Sequence, residues 1–327
     1  MKLLITAHRM DEVSIYNKVN ESFDFDLSFD PERLTLENAA KAAGFDAVAI
    51  TADCRMDGAL LTALHSEGVQ YVLARSAGVD NIALDTAHAL GMKVANVPGY
   101  APNAISEHTV MLILMLLRKM KRQMMRISEQ DFRIQGLRAR QLSSQVVGVV
   151  GAGRIGTTTI RLLSGFGCRI LAYDIHTREE VAKCAEYVPF DQLLSESDVI
   201  VLHAPMTKEN YHLIGESQIR KMKDGALLVN TARGGLVDTG AVLSGLESGK
   251  IGGFAFDVYE DEGKTQRKDL RGEDLPDPIL TKMLALDQVI YTTHTAFYTD
   301  DAVTEIARIT LGNLADFVRE NHSRNEK

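Results

Sequence analysis

Short runs of aliphatic and β-branched residues alternate along the chain with segments whose apolar positions recur at helical spacing. That alternation predicts parallel sheets covered by helices on both faces. Residues 2–6, 47–50, 71–74 and 93–96 read as strands, with helical stretches at 36–43 and 57–64 between them. Residues 145–174, QVVGVVGAGRIGTTTIRLLSGFGCRILAYD, read as a strand, a glycine turn, a helix and a second strand. This is one βαβ unit of roughly 30 residues. Further strands are predicted at 199–203, 226–230, 253–257 and 289–292, with connecting helices at 191–195, 217–222 and 239–248.

The segment PGYAP at 98–102 punctuates the chain before a long apolar helix at 103–125, and the crossing between two domains is placed there. A last helix, 301–319, returns to the first domain, and the final NHSRNEK reads as a frayed polar end. The expected architecture is therefore α/β, with two doubly wound parallel-sheet domains of Rossmann or flavodoxin type and a cleft between them. Residues 1–99 plus 297–327 form one domain and 100–296 the other. Helix 103–125 carries more apolar surface than one core needs, which points to burial against a second subunit. Residues 263–278 form a charged, proline-bearing loop without periodicity and read as a surface insertion.

Composition narrows the function classes. At 327 residues, with 45% hydrophobic and 24% charged positions, the chain suits a globular protein of two domains. A formal net charge of -8 argues against a nucleic-acid surface, and the longest apolar run, 109–117, is too short to span a bilayer. The N-terminal MKLLITAHRM reads as a strand and not as a signal peptide. Cys54, Cys168 and Cys184 lack metal or redox spacing, which suits a reducing cytoplasm and no metal.

Gly151, Gly153 and Gly156 give G-x-G-x-x-G where the strand hands over to the helix. The first glycine permits the tight turn, the second admits a pyrophosphate to the backbone, and the third lets helix and strand pack closely. The N–H groups at the helix start then face the phosphates. Asp174 closes the next strand at the distance where a carboxylate accepts from the adenosine ribose hydroxyls and repels a 2′-phosphate, so NAD is the expected cofactor. Three later strand ends present ionisable groups: Arg233 in NTARGGLVD, Glu262 in DVYEDEG and His294 in TTHTAFY. Reduction of a 2-oxo acid needs a cation for the carboxylate and a proton donor for the carbonyl oxygen. Arg233 suits the first task and His294 the second. Glu262 would fix the imidazole tautomer. Taken singly, each of these residues is more often a surface ion pair or a structural histidine; their placement on one rim gives the set its meaning.

In order and spacing, Gly151 to Gly156, Asp174, His203-Ala-Pro205, Asn230-Thr-Ala-Arg233, Asp257-Val-Tyr-Glu-Asp-Glu262 and His294-Thr-Ala-Phe-Tyr298 resemble the D-isomer-specific 2-hydroxyacid dehydrogenase family over essentially the whole chain. Within the family the likeness is greatest to the D-lactate dehydrogenase branch. The resemblance implies an NAD-dependent enzyme with Arg233, Glu262 and His294 as catalytic residues. It implies substrate contacts from Ala77, Gly78, Tyr100 and Tyr298. It further implies cofactor contacts from Gly151, Gly153, Arg154, Ile155, Gly156, Asp174, His203, Pro205, Thr231, Ala232 and Asp257, and a homodimer formed through helix 103–125. The implied reaction is pyruvate to D-lactate. Alternatives are 2-hydroxyisocaproate, phenyllactate or 2-hydroxyglutarate as the bulkier product, or a non-catalytic NAD-sensing corepressor. One departure stands out: after the strand at 47–50 the turn is Thr51-Ala-Asp-Cys-Arg-Met56, where the lactate enzymes carry a glutamine-rich turn and an aromatic residue.

Overall fold

Twelve strands, all paired in parallel, make two separate sheets in a computed structural model that describes residues 1–266 and 268–327. The chain divides into one unit of Met1–Ala101 and Tyr298–Lys327 and another of Pro102–Phe297.

In the first unit β1 (Lys2–Thr6), β2 (Asp26–Asp30), β3 (Ala47–Ile50), β4 (Tyr71–Ala74) and β5 (Lys93–Ala95) lie in the order β2-β1-β3-β4-β5. The order reverses at β1, so the crevice at the carboxyl ends of β1 and β3 is the topological switch point. β3 is buried along its whole length because it lies inside the sheet and is covered on both faces. β2 was not expected. Its sequence DLSFD alternates apolar and polar residues over only five positions, a weak signal that suits an edge strand. Residues 36–43 were expected as an ordinary helix but form a 3-10 segment, Leu36–Ala42.

The tail corrects a second expectation, because it is held and not frayed. Asn313 on the helix Asp300–Glu320 is buried, and its Oδ1 accepts from Ser323 Oγ at 2.9 Å and Asn325 Nδ2 at 2.8 Å. Glu326 then bridges antiparallel to Ala95. A buried amide must find partners, and the chain end supplies them.

The second unit contains β6 (Val146–Val150), β7 (Arg169–Tyr173), β8 (Glu186–Tyr187), β9 (Val199–Leu202), β10 (Ala226–Asn230), β11 (Ile251–Phe256) and β12 (Val289–Tyr291), in the order β12-β11-β10-β9-β6-β7-β8. This is the doubly wound nucleotide-binding order, with its switch point between β6 and β9. The aliphatic runs of β6, β9 and β10 are buried because helices cover both faces, as near-continuous apolar strands require. Phe254, Phe256 and Tyr291 stack at 4.7 and 4.6 Å between centroids on one face.

The expected helix at 103–125 is two helices, Pro102–Leu117 and Met120–Ser128. Lys119 between them adopts φ +55, and the Leu117 carbonyl accepts from the Arg140 N–H instead of continuing the helical ladder. Periodicity ran through the break because the apolar residues on either side keep helical spacing. Of the expected loop at 263–278, Arg267 lies outside the described residues; a 3-10 turn, Glu262–Lys264, opens it and the helix Pro278–Ala285 closes it. No helix among the described residues is long and apolar enough to cross a membrane.

Candidate active site

The helix Arg154–Ser164 begins directly behind β6, and its N-cap, Gly153, provides no side-chain cap. A Cβ on Gly153 would meet nothing within 4 Å, so the space above the first helical N–H groups is open. Gly151 and Gly156 are required for the opposite reason. Gly151 sits at φ +94 against the backbone of His203 and Ala204, and a Cβ on Gly156 would lie 1.9 Å from the Gly151 carbonyl oxygen. The turn is therefore a tight backbone loop facing an open helix N-terminus, a shape that suits a pyrophosphate. Arg154 is exposed beside it and Ile155 is partly covered. At the end of β7 the Asp174 carboxylate accepts from Ala152 N at 2.6 Å and His176 N at 2.9 Å, which anchors it next to the glycine turn. These residues fit an NAD molecule: the N–H groups at the helix start would hold its phosphates, and Asp174 would accept from its adenosine ribose.

The remaining expected cofactor residues line the same rim, but several have their side chains engaged internally. His203 Nε2 lies 2.8 Å from Thr159 Oγ1, Thr231 Oγ1 lies 2.8 Å from Thr109 Oγ1, and the Pro205 carbonyl accepts from Asn210. Ala232 N donates to Asn230 Oδ1. Asp257 is 1% exposed, and its carboxylate is taken up by Thr292, Thr295 and Ala296. Two large apolar side chains are exposed on the same rim: Ile175, 83% exposed, follows Asp174, and Met206 follows Pro205.

Burial pushes the His203 imidazole down to about 3. Its Nδ1 is enclosed and has no hydrogen-bond partner among the described residues. A histidine that stays neutral in the fold but protonates when unfolded destabilises the fold as pH falls below its unfolded value near 6.5. The unfolded chain binds the extra proton between about pH 6.5 and pH 3, so stability rises with pH through that window. This group alone is expected to remove about 2 kcal/mol between pH 7 and pH 5. Urea melts of wild type and His203→Gln at both pH values check it: the variant should lose less stability on acidification, and equal losses would refute the assignment.

The strand ends of β10, β11 and β12 are neighbours, and each carries one of the expected ionisable groups. Asn230 closes β10 and brackets the turn after it: its Nδ2 donates to the Arg233 carbonyl at 2.8 Å. Gly234 permits that turn, since a Cβ there would strike the backbone of Tyr259 and Glu260. The half-buried Arg233 guanidinium donates to the Ala232 carbonyl at 2.8 Å and makes no ion pair among the described residues. A partly buried cation without a carboxylate partner is poised to take one from a ligand.

Glu262 and His294 come together. His294 Nδ1 is 3.1 and 3.2 Å from the two Glu262 oxygens. Gln266 Nε2 also lies 3.3 Å from Nδ1. Nδ1 has a single hydrogen to give, and a carboxylate outcompetes a neutral amide for it. Nε2 is then the nitrogen left for proton exchange. His294 itself adopts φ +56, a left-handed conformation held by bonds from its N–H to the Asp257 and Thr292 carbonyls.

In the first unit, the turn after β4 carries Ala77 and Gly78. The Ala77 carbonyl accepts from Asn96 Nδ2 at 2.6 Å and the Gly78 carbonyl from Ser76 Oγ at 2.7 Å. Both carbonyls are thus held, while neither N–H has a partner among the described residues. Arg75, 6% exposed, anchors the turn: it pairs with Glu12 at 3.0 Å and donates to the carbonyls of Thr6 and Ala7. Burial works to raise the Glu12 carboxyl, but Arg75 and Arg9 overcome it and leave the group below the usual range. Tyr298 donates to Asp11 at 2.6 Å with the Arg9 guanidinium 4.4 Å over its ring, and burial and the Asp11 bond push the phenol up. Tyr100 is partly exposed after β5. The 51–56 turn is tied inward through Cys54 and Met56, both buried, and burial pushes the Cys54 thiol up to about 11, which excludes it as a nucleophile at neutral pH. No group of His, Cys, Asp and Glu among the described residues could hold a metal ion.

The chain is similar to known proteins over its whole length. Residues 110–296 match the family model described as D-isomer specific 2-hydroxyacid dehydrogenase, NAD binding domain. The chain is 41% identical to D-lactate dehydrogenase kk1H of Curvularia clavata, covering 98% of this chain and 93% of that one. It is 38% identical to an aromatic 2-oxoacid reductase of Clostridium sporogenes, covering 100% and 99%. Among solved structures it is similar to apo D-lactate dehydrogenase of Escherichia coli, with a TM-score of 0.91 and 37% identity over 100% of this chain and 99% of the other.

Proposed function

Because the chain belongs to the D-isomer-specific 2-hydroxyacid dehydrogenases, whose NAD-binding domain it carries, we propose that it reduces a 2-oxo acid reversibly to the (R)-2-hydroxy acid, with pyruvate to D-lactate as the leading pair. The observation that carries this reading is the set on adjacent strand ends of β10, β11 and β12: an Arg233 guanidinium with no carboxylate partner among the described residues, and a His294 imidazole oriented by Glu262. Arg233 anchors the substrate carboxylate through its planar fork. His294, its Nδ1 bonded to Glu262, delivers a proton from Nε2 to the carbonyl oxygen. The bound nicotinamide supplies the hydride.

The helix start at Arg154 and Ile155 with Asp174 holds the cofactor, and Ile175 and Met206 offer apolar surface to the adenine. His203, Pro205, Thr231, Ala232 and Asp257 shape the walls of that site from beneath. The family resemblance adds Ala77, Gly78, Tyr100 and Tyr298 of the first unit as proposed substrate contacts, and the N–H groups of Ala77 and Gly78 have no partner among the described residues. A homodimer is supported by a groove of about 580 Å³ lined by Val110, Met111, Leu114, Met115 and Phe166, together with exposed Met124, Met125 and Ile127 on the following helix.

A second reading, reduction of a bulkier acid, is favoured by one observation: the 51–56 turn presents Ala52 and Arg55 to solvent and no large aromatic side chain. The ratio of kcat/KM values for pyruvate, 2-oxoisocaproate, phenylpyruvate and 2-oxoglutarate with NADH decides between them. A maximum at pyruvate supports D-lactate dehydrogenase activity, and a maximum at phenylpyruvate or 2-oxoisocaproate replaces it with the second reading. NADPH should serve poorly in either case, because Asp174 repels a 2′-phosphate.

A further inference from the structure

His108, on the helix Pro102–Leu117, belongs to none of the roles above, yet it reaches the strand ends of the candidate active site. Its Nε2 is 3.0 Å from Thr292 Oγ1 and 3.6 Å from Asp257 Oδ1. The Thr292 hydroxyl in turn donates to Asp257 Oδ1 at 2.6 Å. A hydroxyl has one hydrogen, and the carboxylate, which can only accept, takes it. Thr292 must then accept from His108, so His108 carries its hydrogen on Nε2. Burial draws the His108 imidazole below its usual range against the opposing pull of Asp257, in keeping with a neutral ring. The direction of every bond is thereby fixed, from His108 to Thr292 to Asp257.

Asp257 is where this chain meets the chemistry. Its Oδ1 accepts from Thr295 N and its Oδ2 from Ala296 N, both at 2.9 Å, and its backbone carbonyl accepts from His294 N at 2.8 Å. Three consecutive N–H groups of the turn after β12 are therefore tied to one residue. Within that turn His294 sits at φ +56, a conformation unfavourable for a side-chain-bearing residue that persists only when its surroundings impose it.

We infer that His108 is a positioning residue for the reaction, which through Thr292 and Asp257 holds the left-handed turn that aims the His294 imidazole. The inference rests on the reading of His294 as the proton donor. Without the His108 donor, the Thr292 oxygen is left an unfilled acceptor, its hydroxyl is free to turn from Asp257, and the carboxylate loses a bond that orients it. The main outcome is a misaimed imidazole, since among the described residues His108 bonds neither to the glycine turn nor to Asp174, the two places that would hold the cofactor's phosphates and ribose, and reaches only the Asp257 wall. Misplacement by about 1 Å can cost as much as 10²-fold in rate.

The test is a double-mutant cycle on the full-length protein with His108→Leu, Thr292→Val and the pair, followed by kcat, the Kd of NADH from its fluorescence, and the thermal midpoint. Each single variant is expected to lower kcat roughly tenfold, with the NADH Kd changing far less because Asp257 only walls the cofactor site. The double variant should fall no further than either single one, because both break the same chain. His108→Gln, whose amide N–H can take the place of Nε2–H, should recover most of the rate. Wild-type kcat in folded His108→Leu, independent losses that multiply in the double variant, or an NADH Kd that rises in step with the fall in kcat would each overturn the inference. If His108→Leu does not fold, His108→Gln against the shorter His108→Asn makes the same comparison, and equal rates in those two overturn it. Failure of the underlying reading looks different: the wild-type protein itself then reduces no 2-oxo acid.

Discussion

His294→Gln is expected to lower kcat for 2-oxo acid reduction by roughly 10²- to 10⁴-fold, the usual contribution of a positioned acid or base, while the Kd of NADH stays at its wild-type value. Glutamine is close in reach to the imidazole and can still donate a hydrogen bond, so the carbonyl oxygen keeps a polar neighbour. It cannot release and recover a proton near neutral pH. The Glu262 carboxylate, 3.1 Å from Nδ1 in the wild-type protein, is 27% exposed and can turn to water when that partner is gone, so it is not left as a buried uncompensated charge. NADH binding is spared because the glycine turn and Asp174 lie at the opposite side of the sheet's switch point, on β6 and β7. Stopped-flow reduction of pyruvate with a parallel fluorescence titration of NADH checks both halves. Turnover near wild type would remove His294 from the reaction.

Arg233→Lys is expected to act on the substrate. A guanidinium can grip a carboxylate with two parallel N–H···O bonds, and a lysine ammonium can offer only a point charge. Loss of one charge-assisted bond is worth about 1.5–3 kcal/mol, which corresponds to a decrease in kcat/KM of roughly 10- to 100-fold, carried mostly by KM. The bond from Nη1 to the Ala232 carbonyl, 2.8 Å long, is lost too, and with it the pre-set direction of the cation. Since Arg233 makes no ion pair among the described residues, no carboxylate of the protein is stranded by the change, and the thermal midpoint should hardly move. Initial rates across a range of pyruvate concentrations decide: an unchanged KM would contradict the assignment of Arg233 to the substrate carboxylate.

Much of this arrangement was legible before any coordinates. The nucleotide unit could be read because β6, its glycine turn and β7 are local: each residue's task follows from neighbours within about thirty positions. Arg233, Glu262 and His294 could be read because strand ends of a parallel sheet share one rim. What escaped was set by distant partners. β2 is an edge strand whose half-polar sequence is completed by pairing to β1. The break at Lys119 depends on the Arg140 N–H claiming the Leu117 carbonyl. The order of the last residues depends on the buried amide of Asn313. His108 and Thr292 join residues 184 positions apart, and nothing in either sequence neighbourhood announces the bond. The side chain of Asp257 shows the same limit, for the motif marks it but only the fold reveals three donors converging on its carboxylate.

The measurement that bears most directly on the account is NADH oxidation by the purified protein with pyruvate, followed by chiral separation of the product. The account predicts sustained turnover with NADH, little with NADPH, and lactate of the R configuration only. L-lactate as the product, or NADH binding with no turnover of pyruvate or any larger 2-oxo acid, would contradict it.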